Sequence, residues 1–356
     1  MHDRIERVRA KMRELNLDAL VVSSRTNIRY LTGFSGSNGL AVVTHDNAYL
    51  ITDNRYRDQA PLEAPNAEIF IAVENLYRPL KGQKLLQNCK RTAFEANHLS
   101  FRGFSHLRDI APNNHFIATE NLIEKIVAIK SRVEIDKIQA ACLATEKTWA
   151  AVLPMLRPGM AEVEIVSELY YQGLRNGATA MAFEPIVASG KRSALPHGTA
   201  TSKSLQPGDF VVIDFGCEVD GLKSDMTRTV FVGEPTADQR QMYEAVKTAN
   251  ALAFSSIRIN MKAAELDKIV RDRLTELGFE KEFSHSLGHG FGLGIHEMPR
   301  IGQKSKDWLL PNSVFTIEPG VYVPDMGGVR IEDDVLLAED TPQLLTHIGR
   351  ELVTID

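Results

Sequence analysis

The feature that most constrains this chain is a set of ionisable residues placed where strands should be apolar. Asp214 follows Val211, Val212 and Ile213. Asp225 lies in SDMTRT, eleven residues on, across a hairpin turn expected at Asp220-Gly221. Glu318 interrupts VFTIEPG, Glu332 lies in GGVRIEDD, and His289 lies in HSLGHGFGLGIHEMP. For any one acid alone, a strand-end carboxylate capped by backbone N–H groups is a sufficient account. Burying four of them needs compensation, because each unpaired buried carboxylate carries a heavy desolvation cost. Two divalent cations balance four carboxylates, and a neutral imidazole with one hydroxide completes the set. Such a hard, oxygen-rich donor set favours Mn²⁺, with Co²⁺ or Zn²⁺ able to substitute, over a thiolate-type zinc site.

Other chemistries find no support. GHGFGLG does not satisfy G-x-G-x-x-G, no GxxxxGK[ST] sequence occurs, and GFSGS around Ser35 misses the GxSxG pattern by one residue. HExxH is absent, and Gly288, Gly290, Gly292 and Gly294 disfavour a helical pair of zinc-binding histidines. Four of the ten histidines (His197, His285, His289 and His296) nonetheless fall in the acid-bearing region. An ordinary loop role accounts for any one of them taken alone. A net charge of −5 offers no basic field to nucleic acid or to an anionic membrane. No uncharged apolar run approaches the length of a membrane span, and MHDRIERVRAKMREL lacks the apolar stretch of a signal peptide. The three scattered cysteines, Cys89, Cys142 and Cys217, suit reduced thiols and hence a cytoplasmic protein.

The chain is long enough, at 356 residues, for two cores. Ile5, Val8, Met12 and Leu15 recur at helical spacing, DALVVSS reads as a buried strand, and GLAVVT and NAYLIT read as strands about a turn at HDN. This alternation predicts an α/β domain over residues 1–125. A helix is expected over Val133–Val152, stopped by Pro154 and Pro158-Gly159, and another over Ala161–Leu174. Beyond Ala180 glycine-broken strands take over: FEPIVASG, DFVVIDFG, RTVFVG, SVFTIEPGVYVP and GGVRIEDDVLL. One helical stretch, about Ala237–Leu277, interrupts them, so residues 126–356 read as an α+β domain with a mostly antiparallel sheet.

With these segments in hand, the second domain resembles the pita-bread metallopeptidases: methionine aminopeptidase, aminopeptidase P and prolidase, with creatinase as a metal-free relative. LPHG (Leu195–Gly198), VIDFG, SDMTRT, HSLGHGFGLGIHE, EPGVY and GGVRIEDD carry the likeness, in order. NIRYLTGFSGSNG and ITDNRY resemble a creatinase-type N-terminal domain, and the latter leans towards aminopeptidase P. The resemblance implies an Xaa-Pro peptidase in which two divalent metal ions activate one water. Asp214 and Asp225 would serve one ion, His289 and Glu318 the other, with Asp225 and Glu332 bridging. Glu318 would also accept the water's proton, His197 and His296 would stabilise the oxyanion, and His285, Arg330 and Tyr322 would support these groups. Short proline-containing peptides and a homodimer follow from the same likeness. A prolidase acting on Xaa-Pro dipeptides, a metal-free creatinase-like C–N hydrolase and a non-catalytic binding module are the alternatives. The hydrolase predicts activity without metal, and the binding module predicts degraded ligand positions.

Overall fold

The computed structural model describes residues 2–339 and 341–356, in two compact units, Met1–Val127 and Ala128–Asp356. The first is built on a six-stranded mixed sheet. Its centre is Ala19–Val22, antiparallel to Gly39–Thr44 and parallel to Arg91–Glu95. Gly39–Thr44 turns back through His45-Asp46-Asn47 into Ala48–Asp53, with Val43 opposite Ala48. Helix His2–Glu14 buries Ile5, Val8 and Met12. Leu15, which the periodicity adds to that stripe, lies past the helix end and is exposed; Leu17 is buried instead. Past Glu14 the chain leaves the helix through a turn in which Asn16 takes a positive φ, and this brings Leu17 rather than Leu15 inward.

The second unit pairs helices with antiparallel sheets. Helix Arg132–Val152 opens with a capping box, in which Ser131 N–H donates to Glu134 while Glu134 N–H donates to Ser131 Oγ. With helix Glu162–Arg175 it covers the four-stranded sheet containing Ile186–Ser189, Phe210–Phe215 and Met226–Val232. Trp149, Val152, Ile165 and Leu169 meet Val211, Ile213 and Val230 there.

The single helical stretch expected over Ala237–Leu277 is two helices, Ala237–Ser256 and Ala263–Glu276. Between them Asn260 takes a positive φ and Met261 pairs with Leu309 in a short ladder. The apolar residues Ile257 and Ile259 carry the pattern across this break, which is why periodicity alone joins the helices. This pair packs against the sheet that contains Gly288–Gly290, Ser313–Ile317 and Asp333–Leu337. Among the described residues no helix is long and apolar enough to cross a membrane.

Candidate metal centre

The sheets of the second unit deliver the acids to one place. Asp214 sits near the end of strand Phe210–Phe215, opposite Thr227. The chain then makes a two-residue turn in which Asp220 and Gly221 both have positive φ, returns through Leu222–Lys223, and presents Asp225 just before strand Met226–Val232. Glu318 and Glu332 are not strand residues. Glu318 lies in the break between Ser313–Ile317 and Gly320–Val323, and Glu332 in the break between Gly327–Arg330 and Asp333–Leu337. His289 stands mid-strand between Gly288 and Gly290. A Cβ on Gly288 would fall 2.1 Å from the Thr316 carbonyl oxygen, and one on Gly290 2.1 Å from that of Met298. The glycines therefore let neighbouring backbone close in around the histidine.

Asp225, His289 and Glu332 each offer a ligand atom, and these atoms lie within 4.8 Å of one another. His289 Nε2 is also 3.5 Å from Glu318 Oε1 and 3.7 Å from Asp225 Oδ2. The opposite ring nitrogen, Nδ1, is 3.2 Å from the Gly290 carbonyl oxygen, which can only accept. That contact places the proton on Nδ1 and leaves the Nε2 lone pair facing the acids. Burial, and then the neighbouring His296, lowers the His289 pKa to about 4, so the ring is neutral at physiological pH.

The carboxylates are in the opposite condition. Burial raises all four. Asp225 is pushed well up, by burial first and then by the charges of Glu332 and Asp214; Glu332 is pushed well up by burial and then Glu318. Glu318 is raised to about 8 by burial, against the pull of Arg330. Arg330 Nη2 donates to Asp214 Oδ2 at 2.6 Å, while Asp214 Oδ1 is buried without a hydrogen-bond partner. An orphaned carboxylate oxygen, three further acids held short of their charge and a neutral imidazole lone pair form a donor set that divalent cations fit.

Of the remaining residues singled out from the sequence, Arg330, Tyr322 and His285 form a directed chain. Arg330 Nη1 donates to Tyr322 Oη at 2.7 Å, and Tyr322 Oη lies 3.0 Å from His285 Nε2. His285 Nδ1 is 2.8 Å from the Ser286 carbonyl oxygen, so it carries the proton and Nε2 accepts from the tyrosine. His197 and His296 stand on the exposed side and, with the acids, line a cavity of about 400 Å³. The His296 and His289 rings meet edge to face at 4.5 Å. Phe183, Ile186, Pro196 and Ile295 supply an apolar wall beside these histidines.

Thr227 and Thr316 escape the sequence reading. Thr227 Oγ1 donates to Glu332 Oε2 at 2.6 Å and accepts from Arg330 Nε at 3.0 Å. Thr316 Oγ1 accepts the His289 N–H at 3.2 Å. Thr227 faces Asp214 across the ladder, so a register drawn from the Asp220-Gly221 turn brings it to light. Asp334 is also missed: fully buried, it accepts from the Asp225 backbone N–H at 3.0 Å and from Cys142 Sγ at 3.3 Å.

Comparison with known proteins bears on this site. The model of metallopeptidase family M24 matches residues 136–339, and that of the creatinase/prolidase N-terminal domain matches residues 4–128. The Xaa-Pro dipeptidase of Pyrococcus furiosus is 37% identical, over 99% of this chain and 100% of its own. Among solved structures, the Xaa-Pro dipeptidase from Bacillus anthracis superposes with a TM-score of 0.95 at 35% identity, covering 99% of each chain. The X-Pro aminopeptidase from Thermotoga maritima does so with a TM-score of 0.88 at 33% identity, over 97% of this chain and 100% of its own.

Proposed function

This chain belongs to metallopeptidase family M24, and from that premise we propose that it hydrolyses the Xaa-Pro bond at the amino end of short peptides. In this reading Asp214, Asp225, His289, Glu318 and Glu332 hold two divalent cations, Mn²⁺ before Co²⁺ or Zn²⁺. The observation that carries it is the convergence of Asp225, Glu318 and Glu332 on the deprotonated imidazole nitrogen of His289, with Asp214 lining the same cavity and its Oδ1 left without a partner. When bound, such cations lower the pKa of water from ~15.7 to about 7 and polarise a carbonyl oxygen.

The chain's own groups then divide the work. Glu318 takes the water's proton and returns it to the leaving nitrogen. Its carboxylate lines the same cavity as His197 and His296, the place a proton carrier for the reacting groups must occupy. His197 and His296 face the scissile carbonyl from the cavity wall and donate to the developing oxyanion, an effect of about 3 kcal/mol per donor. Arg330 fixes Asp214, and through Tyr322 it orients His285. Proline gives the substrate no amide N–H to recognise, so selection falls to shape, and Phe183, Ile186, Pro196 and Ile295 offer an apolar surface for the ring.

The leading form of the reading is aminopeptidase-like. The dipeptidase form is favoured by the names that the Pyrococcus and Bacillus anthracis relatives bear. We take the working enzyme to be a cytoplasmic homodimer, which sedimentation of the purified protein checks. The deciding experiment compares Ala-Pro-Ala, Ala-Pro and Ala-Ala-Ala as substrates of the Mn²⁺-loaded protein. Cleavage of the proline substrates over Ala-Ala-Ala is expected, and the ratio of the first two separates the two forms. Equal rates on Ala-Pro-Ala and Ala-Ala-Ala would end the proline reading, and fewer than two bound ions would end the dinuclear one.

A further inference from the structure

His197 stands exposed on the cavity wall, so its place is set by the backbone that carries it. That backbone is the loop 190–200, which leaves strand Ile186–Ser189 through a short helical turn, Gly190–Ala194. Both ends of the loop meet at one side chain. Glu162, the first residue of helix Glu162–Arg175, is completely buried. Its Oε1 accepts from Ser189 N–H and Ser189 Oγ, each at 2.8 Å. Its Oε2 accepts from Thr201 N–H at 2.9 Å and Thr201 Oγ1 at 2.8 Å, and from Arg192 Nε at 3.3 Å. Arg192 in turn donates to the Thr199 carbonyl. Each carboxylate oxygen thus holds one flank of the loop, and at the far end Arg330 Nη1 holds the Pro196 carbonyl at 3.1 Å.

We propose that Glu162 is a positioning residue for His197: one buried carboxylate closes the base of the loop and so sets where the imidazole stands in the cavity. The inference rests on the reading of His197 as an oxyanion donor. The carboxylate is required because both its oxygens accept. An amide in its place turns an NH₂ group towards either the Ser189 or the Thr201 donors, and buried donors left facing a donor are costly. Glu162 itself lies outside the acid cluster that the cations fit.

The test is a double-mutant cycle of Glu162→Gln and His197→Ala, read as kcat, KM, bound metal and melting midpoint on Ala-Pro-Ala. H197A is expected to lower kcat/KM by about 10²-fold or more. E162Q is expected to lower it by about tenfold, mainly in kcat, since small displacements of a catalytic group are that expensive. Bound metal should be unchanged in E162Q. In the H197A background E162Q should cost less than about twofold, the non-additivity expected of residues acting as one unit. An equal loss in both backgrounds, a loss of metal or wild-type activity of E162Q each overturns the proposal while leaving the role of His197 standing. Wild-type kcat/KM in H197A removes that role and the proposal together. Should E162Q fail to fold, Thr201→Val, which deletes a single hydroxyl, carries the same cycle with a smaller expected loss that again vanishes without His197.

Discussion

At the scale of single residues, the acids and His289 are legible because they break an apolar pattern, whereas the threonines are not, because a threonine in a strand breaks nothing. Thr227 nevertheless donates a side-chain hydrogen bond to Glu332 and accepts one from Arg330. Thr227→Val keeps the shape and removes both interactions. It should lower metal affinity by about 10–100-fold, the usual effect of losing a group that orients a ligand, as read by titrating metal into the chelated protein. Unchanged affinity would deny Thr227 that function. The acids also set the pH behaviour of the metal-free protein. Glu318, raised from 4.5 to about 8, keeps in the folded state a proton that the unfolded chain has lost, and the other three acids shift the same way. Their contribution to stability is full at low pH and is lost as pH rises through the folded values. His289 and His285, lowered to about 4 and about 3, act in the opposite sense, but their effect is complete above the ordinary histidine value of 6.5. Between about pH 6.5 and 8 the acids act alone, so the melting midpoint of the chelated protein should fall across that window, and saturating Mn²⁺ should suppress the fall. A midpoint that rises across the window without metal contradicts the assignment of these burials.

At the scale of elements, the strand runs and the Asp220-Gly221 hairpin follow from the sequence because period-two patterning and a two-residue turn are local. What is not local is where a run ends. VFTIEPGVYVP and GGVRIEDDVLL each read as one run, yet each is two strands with the glutamate at the break. A charged residue facing a site and a charged residue leaving a strand look alike in one dimension. The buried ion pair of Lys130 Nζ with Glu297 Oε2, at 2.5 Å, is illegible for the same reason, since its partners are brought together only by the packed second unit. The glycines around His289 make the sharpest element-scale prediction. A Cβ at Gly290 would meet the Met298 carbonyl oxygen at 2.1 Å and Pro299 N at 2.9 Å, both backbone atoms that cannot swing aside. Gly290→Ala should therefore cost about 3 kcal/mol or more and weaken metal binding by moving the His289 strand. Gly82→Ala serves as the control: nothing lies within 4 Å of its Cβ position, and a stabilisation of up to about 1 kcal/mol is expected there. Denaturant melts of the two variants decide it, and equal stabilities would show that close approach at Gly290 is not what the glycine serves.

At the scale of the whole molecule, each unit has a core of its own, the first around Val21, Leu40, Val42 and Ile51, the second around the two helix pairs and their sheets. The proposed cation site draws every ligand from the second. A ligand that binds only the folded form stabilises it by mass action, about 4 kcal/mol at a thousand times its dissociation constant. In a unit of this size, each kcal/mol moves the midpoint by roughly 2–4 °C. Chelation should thus lower the melting of residues 128–356 by on the order of 10 °C and leave that of residues 1–127 where it was. The chain contains its own reporter for the difference. Both tryptophans, Trp149 and Trp308, lie in the second unit, and Trp149 is buried against Val152 and Ile165. Tryptophan fluorescence follows that unit alone, whereas far-ultraviolet circular dichroism follows both. With metal removed, the fluorescence transition should move down ahead of part of the dichroism transition, and added Mn²⁺ should bring it back. If fluorescence and dichroism shift together by the same amount, the two cores unfold as one and the metal's stabilisation is not confined to the unit that supplies its ligands.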